Sequence, residues 1–288
     1  MPMSPRLLRP RHVAQFVSNA DAQDWVNRVY AAGGTVSQRT ADAVNTFCNT
    51  INSTGLRDRF YRLNLFCGND LTACLVPLYC GPSLTATQLG NTTDTNNNFA
   101  ASDYAETGAS GGLLGNGSSK YLDTGFNVNN LTASSIHLSS YIRGTQDISS
   151  ARALIGALWN SAADRYRIFL SAIGSTAPNF SIQSELGKVT QASAVNRANT
   201  NAGHIVSSRT STTSLTLYDD ATSIATNTDA TAETVGAFPF LVFARTGPTE
   251  YYNGRMAAYS IGLGLTGPQV AAFNTAMQAF QAALSRSV

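Results

Sequence analysis

The sequence predicts a mainly β protein, a β-sandwich with an α-helical hairpin before it and a single helix after it. Short apolar segments recur from residue 59 onward and are separated by turn residues, which is the pattern of successive strands. Charged residues make up only 12% of the 288 residues, about half the usual share, and Asn, Ser, Thr and Ala fill the surface instead. A chain of this length can form one large sandwich with a sizeable core.

Residues 1–18 are predicted to form an extended arm, because they contain three prolines and show no sustained periodicity. A disordered terminus is the alternative. The apolar side chains favour docking on a neighbouring subunit, since prolines reduce the entropy lost when an extended segment lies along a partner. The residues expected to make this assembly contact are Arg6, Leu7, Leu8, Arg9, Arg11 and Phe16.

Residues 19–57 are predicted to form the helical hairpin. In the first helix Trp25, Val26, Val29 and Tyr30 share one face, and Gly33-Gly34 supplies a left-handed stop. Ser37 is the expected N-cap of the second helix, and Gly55 its end. The apolar stripe of that helix consists of Ala41, Val44, Phe47, Cys48 and Ile51.

Residues 58–288 are predicted to form the sandwich and its last helix. In the segment SIHLSSYIRG, Ile136, Leu138 and Ile142 alternate with polar side chains, so this strand is expected to be buried on one face only. Asp219-Asp220 has the composition of a hairpin tip, and the apolar run 238–243 is expected to be buried on both faces.

The closing helix is predicted over residues 266–285. Thr266 and Gln269 have the spacing of a capping box, and Pro268 lies in the first turn. Apolar residues then follow at spacings of three and four, which requires one face of the helix to be buried, either on the sandwich or in a short coiled-coil seam. This stripe consists of Val270, Phe273, Met277, Phe280 and Leu284.

Two segments carry a resemblance to a known family. GNGSSKYLDTGF, residues 115–126, and the closing YYNGRMAAYSIGLGLTGPQVAAF resemble the concanavalin A-like lectin/glucanase, or laminin G-like, jelly roll. The resemblance covers roughly residues 60–270 and implies a jelly-roll β-sandwich. The order of a helical segment, DRFYRLNLFCG and then this sandwich is also similar to tail-associated and other virion proteins of tailed bacteriophages.

Several kinds of chemistry are not indicated. The four glutamates, Glu106, Glu185, Glu233 and Glu250, each lack an Asp or Glu two residues later, whereas the glucanase branch carries its carboxylates at that spacing on one strand. No nucleophile elbow, zinc-protease helix or Walker loop is present, so we expect no enzyme activity. A net charge of +2 gives no indication of nucleic-acid binding.

Neither membrane insertion nor a cofactor is expected. The sequence contains no apolar run of about 18 residues and no signal-peptide core. The four cysteines form no C-x-x-C pair and have no histidine nearby, so they are expected to be reduced and partly buried. Calcium is the one metal that loop aspartates could hold, and the candidate ligands are Asp94, Asp103, Asp123, Asp219 and Asp220. No D-x-D-x-D-G spacing gathers them, and an ordinary turn explains Asp219 and Asp220, the weak candidates, better than a metal site does.

Sugar binding requires aromatic faces that stack on C–H groups, with amide and carboxylate partners. The segment between two predicted strands around Trp159 and Asn160 is of most interest, since sandwiches place binding residues on loops. Core packing is the alternative explanation for each aromatic residue. The candidate ligand-binding residues are Trp159, Asn160, Tyr166, Tyr218 and Tyr251.

Two hypotheses about function follow. The first is a non-enzymatic structural protein of a bacteriophage virion, made in the host cytoplasm, in contact with other virion proteins and copies of itself, and able to reach host-surface polysaccharide through the sandwich loops. Homo-oligomers are expected, because virion positions are symmetric. The second is a carbohydrate-binding, lectin-like module of a cellular protein. No metal or other cofactor is expected in either case.

Overall fold

The computed structural model describes residues 17–143, 150–158, 164–172, 179–188, 191–198, 203–228 and 236–287. The helices are α1 (Ala20–Ala31), α2 (Gln38–Ser53), the single turn α3 (Leu71–Cys74) and α4 (Gly267–Ala283). The strands are β1 (Phe60–Asn64), β2 (Thr95–Asn97), β3 (Tyr104–Ala105), β4 (Gly112–Leu114), β5 (Tyr121–Asn127), β6 (Ile136–Arg143), β7 (Arg152–Leu158), β8 (Asp164–Ala172), β9 (Asn179–Lys188), β10 (Gln191–Ala198), β11 (Gly203–Ser211), β12 (Ser214–Asp219), β13 (Thr222–Asn227), β14 (Pro239–Val242) and β15 (Arg255–Gly262).

The strands form two antiparallel sheets that pack as a sandwich. The eight-stranded sheet has the order β13-β12-β11-β6-β15-β4-β3, and β1 also pairs with β15. The seven-stranded sheet has the order β10-β9-β8-β7-β14-β5-β2. The predicted fold class, mainly β with an N-terminal helical hairpin and a C-terminal helix, is therefore confirmed.

The described residues form two hydrophobic cores, one on each side of the eight-stranded sheet. The first lies between the sheets and joins side chains such as Leu122 and Ile155 of one sheet to Leu138 of the other. The second, here called the helix layer, joins α1, α2 and α4 to the outer face of the eight-stranded sheet through Tyr141 and Val206. The sandwich is thus covered by helices on one side.

The helix layer corrects the expectation for β6. Ile136, Leu138 and Ile142 do point into the core between the sheets, as their alternation predicts. The opposite face is covered as well, since every residue of β6 is buried. On that face His137 and Tyr141 contact α4: the ring centroids of His137 and Phe273 are 6.5 Å apart, and Tyr141 Oη donates to Gln278 Oε1 at 3.1 Å. A period of two therefore marks the boundary between two cores here, rather than between core and solvent.

Both helices of the hairpin end at the predicted glycines, and α2 has the predicted N-cap. The side chain of Asn19 accepts hydrogen bonds from the amides of Asp21 and Ala22 at the start of α1, and Ser37 accepts from Thr40 N at the start of α2. Gly33 and Gly55, with φ of +87° and +66°, end the two helices in the left-handed region that glycine adopts without strain. The predicted stripes of both helices lie in the helix layer, with Tyr30 partly buried against it.

Helix α4 follows the final strand, β15, after a short connection. Gln269 Oε1 accepts a hydrogen bond of 2.9 Å from the Thr266 amide, so the capping box is present. The whole predicted stripe, Val270 to Leu284, is buried in the helix layer. The Phe273 ring centroid lies 4.6 Å from that of Phe60 in β1. The helix therefore packs on its own sandwich.

The arm residues 1–16, including all six predicted assembly residues, lie outside the described part of the chain. The last two residues of the predicted arm do not extend away from the fold. Val17 is buried in the helix layer, and Ser18 Oγ and Asn19 N both donate to Asn45 Oδ1 of α2. The chain is thus already fixed to α2 at residue 17.

The four cysteines are free, as expected, with Cys80 the most exposed. Burial raises the pKa of the Cys48 thiol to about 12, so the thiol stays protonated at neutral pH.

Among the described residues, no helix combines the length and apolarity required to cross a membrane.

Candidate functional site

The outer face of the seven-stranded sheet is not covered by the helix layer. The strand register places a row of paired residues on this face, and three of them are charged. Across five neighbouring strands, Glu185 pairs with Arg167, Arg167 with Gly156, Gly156 with Leu241, and Leu241 with Asp123. Directly paired residues in a sheet lie side by side on the same face. Charged groups from distant parts of the sequence therefore share one surface.

Arg167 is the centre of an ion-pair cluster on this face. Its Nε lies 2.7 Å from Glu185 Oε2, and its Nη1 donates to Glu250 Oε2. Glu250 Oε1 in turn lies 3.1 Å from Arg245 Nε. Burial opposes ionisation of Glu250, but the charge of Arg167 and the hydrogen bonds from both arginines outweigh it and lower the pKa of this carboxyl. The cluster is charged and internally neutralised.

Glu250 reaches Arg167 because a short hairpin folds over the sheet. Arg245 and Thr249 form an antiparallel bridge at the base of this hairpin, and Glu250 follows with φ of +57°, a strained value for a residue with a side chain. The Ala153 amide donates to Glu250 O at 2.7 Å, which holds the strained residue against β7.

Gly156 makes room for the hairpin. A Cβ atom at this position would lie only 2.6 Å from the Cβ of Arg245 and 3.3 Å from that of Arg167. A glycine in a strand interior often marks such a close approach. The cluster therefore depends on the absence of a side chain at the centre of the row.

A pair of tyrosines lies beside the hairpin. The ring centroids of Tyr121 in β5 and Tyr251 are 6.2 Å apart, with 53° between the ring planes, and both residues are partly exposed. Asn97 of the edge strand β2 is the register partner of Tyr121. Asp123 lies two residues beyond Tyr121, so both project from the same face of β5, whose inward positions are buried. We call Tyr121, Tyr251, Asp123 and Asn97 the tyrosine surface.

Asp123 has an open carboxylate oxygen at this surface. Its Oδ1 accepts a hydrogen bond of 2.8 Å from Gly125 N. Among the described residues, Oδ2 has no hydrogen-bond donor. The tyrosine surface therefore combines two partly exposed aromatic rings, an amide and a carboxylate acceptor; Tyr121 also packs against the core between the sheets, and Asn97 Nδ2 donates to Thr95 O at 3.3 Å.

The predicted ligand-binding residues are placed differently from one another. Tyr251 belongs to the tyrosine surface. Trp159 and Asn160 lie outside the described residues, in the segment that joins β7 to β8. Tyr166 is in β8, opposite Ala157 and Leu186 in register, and its side chain is outside the described part. Tyr218 is 9% exposed and belongs to the helix layer, so the structure gives it a packing role instead of a ligand contact.

The weak calcium candidates form an ordinary hairpin tip. Asp220 has φ of +45° between β12 and β13, and its Oδ1 accepts hydrogen bonds from His204 N and Gln278 Nε2. No group of three or more His, Cys, Asp or Glu side chains gathers at a metal-binding distance within the described residues. Asp219 and Asp220 are thus explained by the turn between the two strands.

Tyr121, Arg167 and Glu185 are site residues that the sequence did not indicate, and Asp123 was expected only as a candidate calcium ligand. Glu185 and Glu250 are far apart in the sequence and meet on Arg167 through sheet pairing and a hairpin, so spacing along one strand gives no sign of their proximity. The partial signal was the alternation in YLDTGFN, which places Tyr121 and Asp123 on the face opposite Leu122 and Phe126.

A groove lies in the helix layer, on the other side of the sandwich from this sheet face. It has a volume of about 580 Å³ and lies between α2 and α4, with Phe47 and Phe280 at its floor. Its lining contains one cation, Arg39, whose guanidinium donates to Ala283 O at the end of α4, and one anion, Asp42. The remaining lining consists of alanines, the two phenylalanines and two threonines, Thr46 and Thr50.

Comparison with known proteins gives similarity at the level of fold. The sequence matches no protein-family model. It also shows no significant similarity to any curated protein. Among solved structures, the chain is similar to domain 4 of AbnA, a GH43 extracellular arabinanase from Geobacillus stearothermophilus, in complex with arabinotriose. The TM-score is 0.50 at 18% identity, over 75% of this chain and 98% of that domain.

Two further structures are similar at lower scores. The CBM40 of the Ruminococcus gnavus IT-sialidase gives a TM-score of 0.42 at 10% identity, over 57% of this chain and 95% of that one. A botulinum neurotoxin type C structure gives 0.40 at 12% identity, over 57% and 42%. At these identities the similarity concerns the β-sandwich fold alone.

Proposed function

We propose that this protein binds carbohydrate, and that the tyrosine surface is where it does so. The observation that carries the proposal is the half-exposed pair Tyr121 and Tyr251 beside open polar groups on the sheet face that the helices leave free. Tyrosine rings offer an apolar face for the C–H groups of a sugar ring and a polar hydroxyl at the edge. Asp123 and Asn97 supply acceptors and donors for sugar hydroxyls.

The similarity to the arabinanase domain supports this proposal. That domain has arabinotriose bound, and nearly its whole length matches this chain in fold. Since a fold hosts many functions, the support for binding comes from the side chains on the sheet face, and the similarity adds to it.

We further propose that binding occurs without hydrolysis. A glycosidase requires a carboxylic acid kept protonated by a raised pKa, beside a second carboxylate. Glu185 and Glu250, the two carboxylates that meet on this face, both accept from Arg167, and the pKa of Glu250 is lowered. The lowered pKa keeps Glu250 ionised at neutral pH, so this carboxyl does not suit the role of general acid.

Glycan-array binding with labelled protein tests the proposed function directly. We expect the wild type to bind a defined glycan set, and Tyr251→Ala and Tyr121→Ala each to weaken binding at least tenfold, because each removes one stacking ring. Tyr30→Ala is the matched control, since Tyr30 is a half-buried tyrosine on α1, at the helix layer. Absence of glycan binding by the wild type, or equal loss in the control, would overturn the proposal.

The setting of this binding protein is a second, separate proposal. On the sequence resemblance to virion proteins of tailed bacteriophages, we propose that the chain is a structural component of such a particle, in contact with copies of itself and other virion proteins. Mass spectrometry of purified particles tests this, together with the genes that flank the coding sequence. Absence from particles would leave the alternative, a lectin-like module of a cellular protein.

A further inference from the structure

The cations beside the tyrosine surface are already engaged by groups of the protein. Arg167 is held by the two carboxylates of Glu185 and Glu250, and Arg245 lies against Glu250. Arg152 Nη1 donates to Gly117 O and Tyr251 O, both at 3.0 Å. Their role in the described contacts is to hold the hairpin and its neighbouring loop against the sheet.

The acidic group at this surface is held differently. Asp123 accepts from one backbone amide through Oδ1, and no cation of the described residues lies within ion-pair distance of it. The nearest lysine along the chain, Lys120, has its Nζ 2.6 Å from Asp103 Oδ1 instead. A ligand on Tyr121 therefore has a carboxylate acceptor two residues further along the same strand face.

We propose that the tyrosine surface selects uncharged sugars, and that Asp123 Oδ2 is the acceptor for their hydroxyl groups. This inference rests on the proposed function and names the chemical class of its ligand. Residues two apart on one face of a strand lie about 7 Å from each other, so a sugar stacked on Tyr121 extends its hydroxyls over Asp123. Hydrogen bonds from a hydroxyl to a carboxylate are short and stronger than those between neutral groups.

The same placement acts against acidic sugars. The carboxylate of a sialic or uronic acid placed here would face Asp123, and like charges at close range repel. Recognition of such a group normally uses a free arginine fork, whereas Arg167 is turned towards two glutamates, Arg245 Nε lies against Glu250, and Arg152 Nη1 donates to two backbone carbonyls. Rejection of an anionic ligand thus follows from the arrangement that binds a neutral one.

The test compares neutral oligosaccharides with sialylated and uronate-containing ones on the same array, and then by calorimetry. Asp123→Asn keeps the Oδ1 acceptor that bonds Gly125, so the turn is retained, but it removes the charge. We expect the wild type to prefer neutral glycans at least tenfold. Asp123→Asn should weaken the binding of neutral glycans about tenfold, because a charge-assisted hydrogen bond is lost. It should also reduce the preference for neutral over acidic glycans, because the repulsion between like charges disappears.

Asp42→Asn is the matched control, since Asp42 is an exposed aspartate on α2 in the helix layer, and it should leave both affinities unchanged. If acidic glycans bind best and the binding still depends on Tyr251, this inference is overturned while the proposed function stands. If the wild type binds no glycan at all, the proposed function fails first. If neutral binding is unchanged in Asp123→Asn, the acceptor role of Asp123 is wrong.

Discussion

Arg245 and Glu250 are joined by an ion pair of 3.1 Å between the two sides of one hairpin, and the same Glu250 carboxylate reaches Arg167 on the sheet below. These contacts hold the residue before Tyr251 in a left-handed backbone conformation. The position of the Tyr251 ring therefore depends on charges that do not themselves belong to the tyrosine surface.

Glu250→Gln should loosen this hairpin. We expect a loss of about 1–3 kcal/mol in the free energy of unfolding, because two guanidinium groups lose a charged acceptor in a partly buried site. Since the pKa of Glu250 is lowered in the fold, the stability it adds is complete above the carboxyl's ordinary range and is lost as the pH falls through the folded pKa. Urea unfolding at pH 7 and pH 3 should therefore show a smaller mutant effect in acid, and an equal effect at both would contradict the ion-pair explanation.

Gly156→Ala should disturb the same region without a change in charge. The new methyl group would lie 2.6 Å from Arg245 Cβ, so the hairpin must move. We expect a destabilisation of about 1–3 kcal/mol from overpacking and weaker glycan binding. Gly267→Ala is the control, since a Cβ there meets only Tyr218 Oη at 3.7 Å. Similar melting temperatures for the two variants would show that the close approach at Gly156 is not tight.

Two buried histidines should make the helix layer sensitive to acid. Burial lowers the pKa of both His137 and His204 from 6.5 to about 4. The unfolded chain binds the proton more readily, so stability is fully present above pH 6.5 and decreases as the pH falls towards 4. The loss is up to roughly 3 kcal/mol for each histidine.

His204→Gln should reduce this pH dependence, measured as the free energy of unfolding at pH 7 and pH 5. Glutamine has a similar polar end and does not titrate, so the difference between the two pH values should shrink. An unchanged difference would mean that His204 is protonated in the fold or already neutral when unfolded.

Removal of residues 1–16 should leave the melting temperature nearly unchanged, whereas removal of residues 1–18 should lower it. Only the second deletion takes away the buried Val17 and the bond from Ser18 to Asn45. If residues 1–16 mediate assembly, as the sequence predicts, light scattering should show that the shorter deletion also abolishes oligomers. A truncated protein with the full oligomeric mass would show that these residues are not needed for assembly.

Local signals made the helices predictable. Ser37 and the Thr266–Gln269 box each act within three residues, and the apolar stripes follow from helical spacing alone. The alternation in β6 was also correct as a pattern. What covers its second face was not predictable, because α4 lies more than 120 residues further along the chain.

The candidate site was even less predictable from the sequence, because its residues come from distant parts of the chain. Tyr121 and Tyr251 are 130 positions apart, and they meet only because β14 pairs with β5 on one side and β7 on the other. Tyr218 and Tyr251 have similar local sequence contexts, yet one is buried beneath α4 and the other borders the open face. Burial of an aromatic residue in a sandwich is decided by which sheet face it occupies, and that depends on the whole topology.

The helix layer gives the molecule a back and a front. Val17 and Leu284, near the two ends of the described chain, both lie in that layer, on the other side of the sandwich from the tyrosine surface. The tyrosine surface is on the front. If this surface binds sugar as we propose, copies held by the helix layer would present it outward and in parallel, where several weak contacts with one polysaccharide add up to firm attachment.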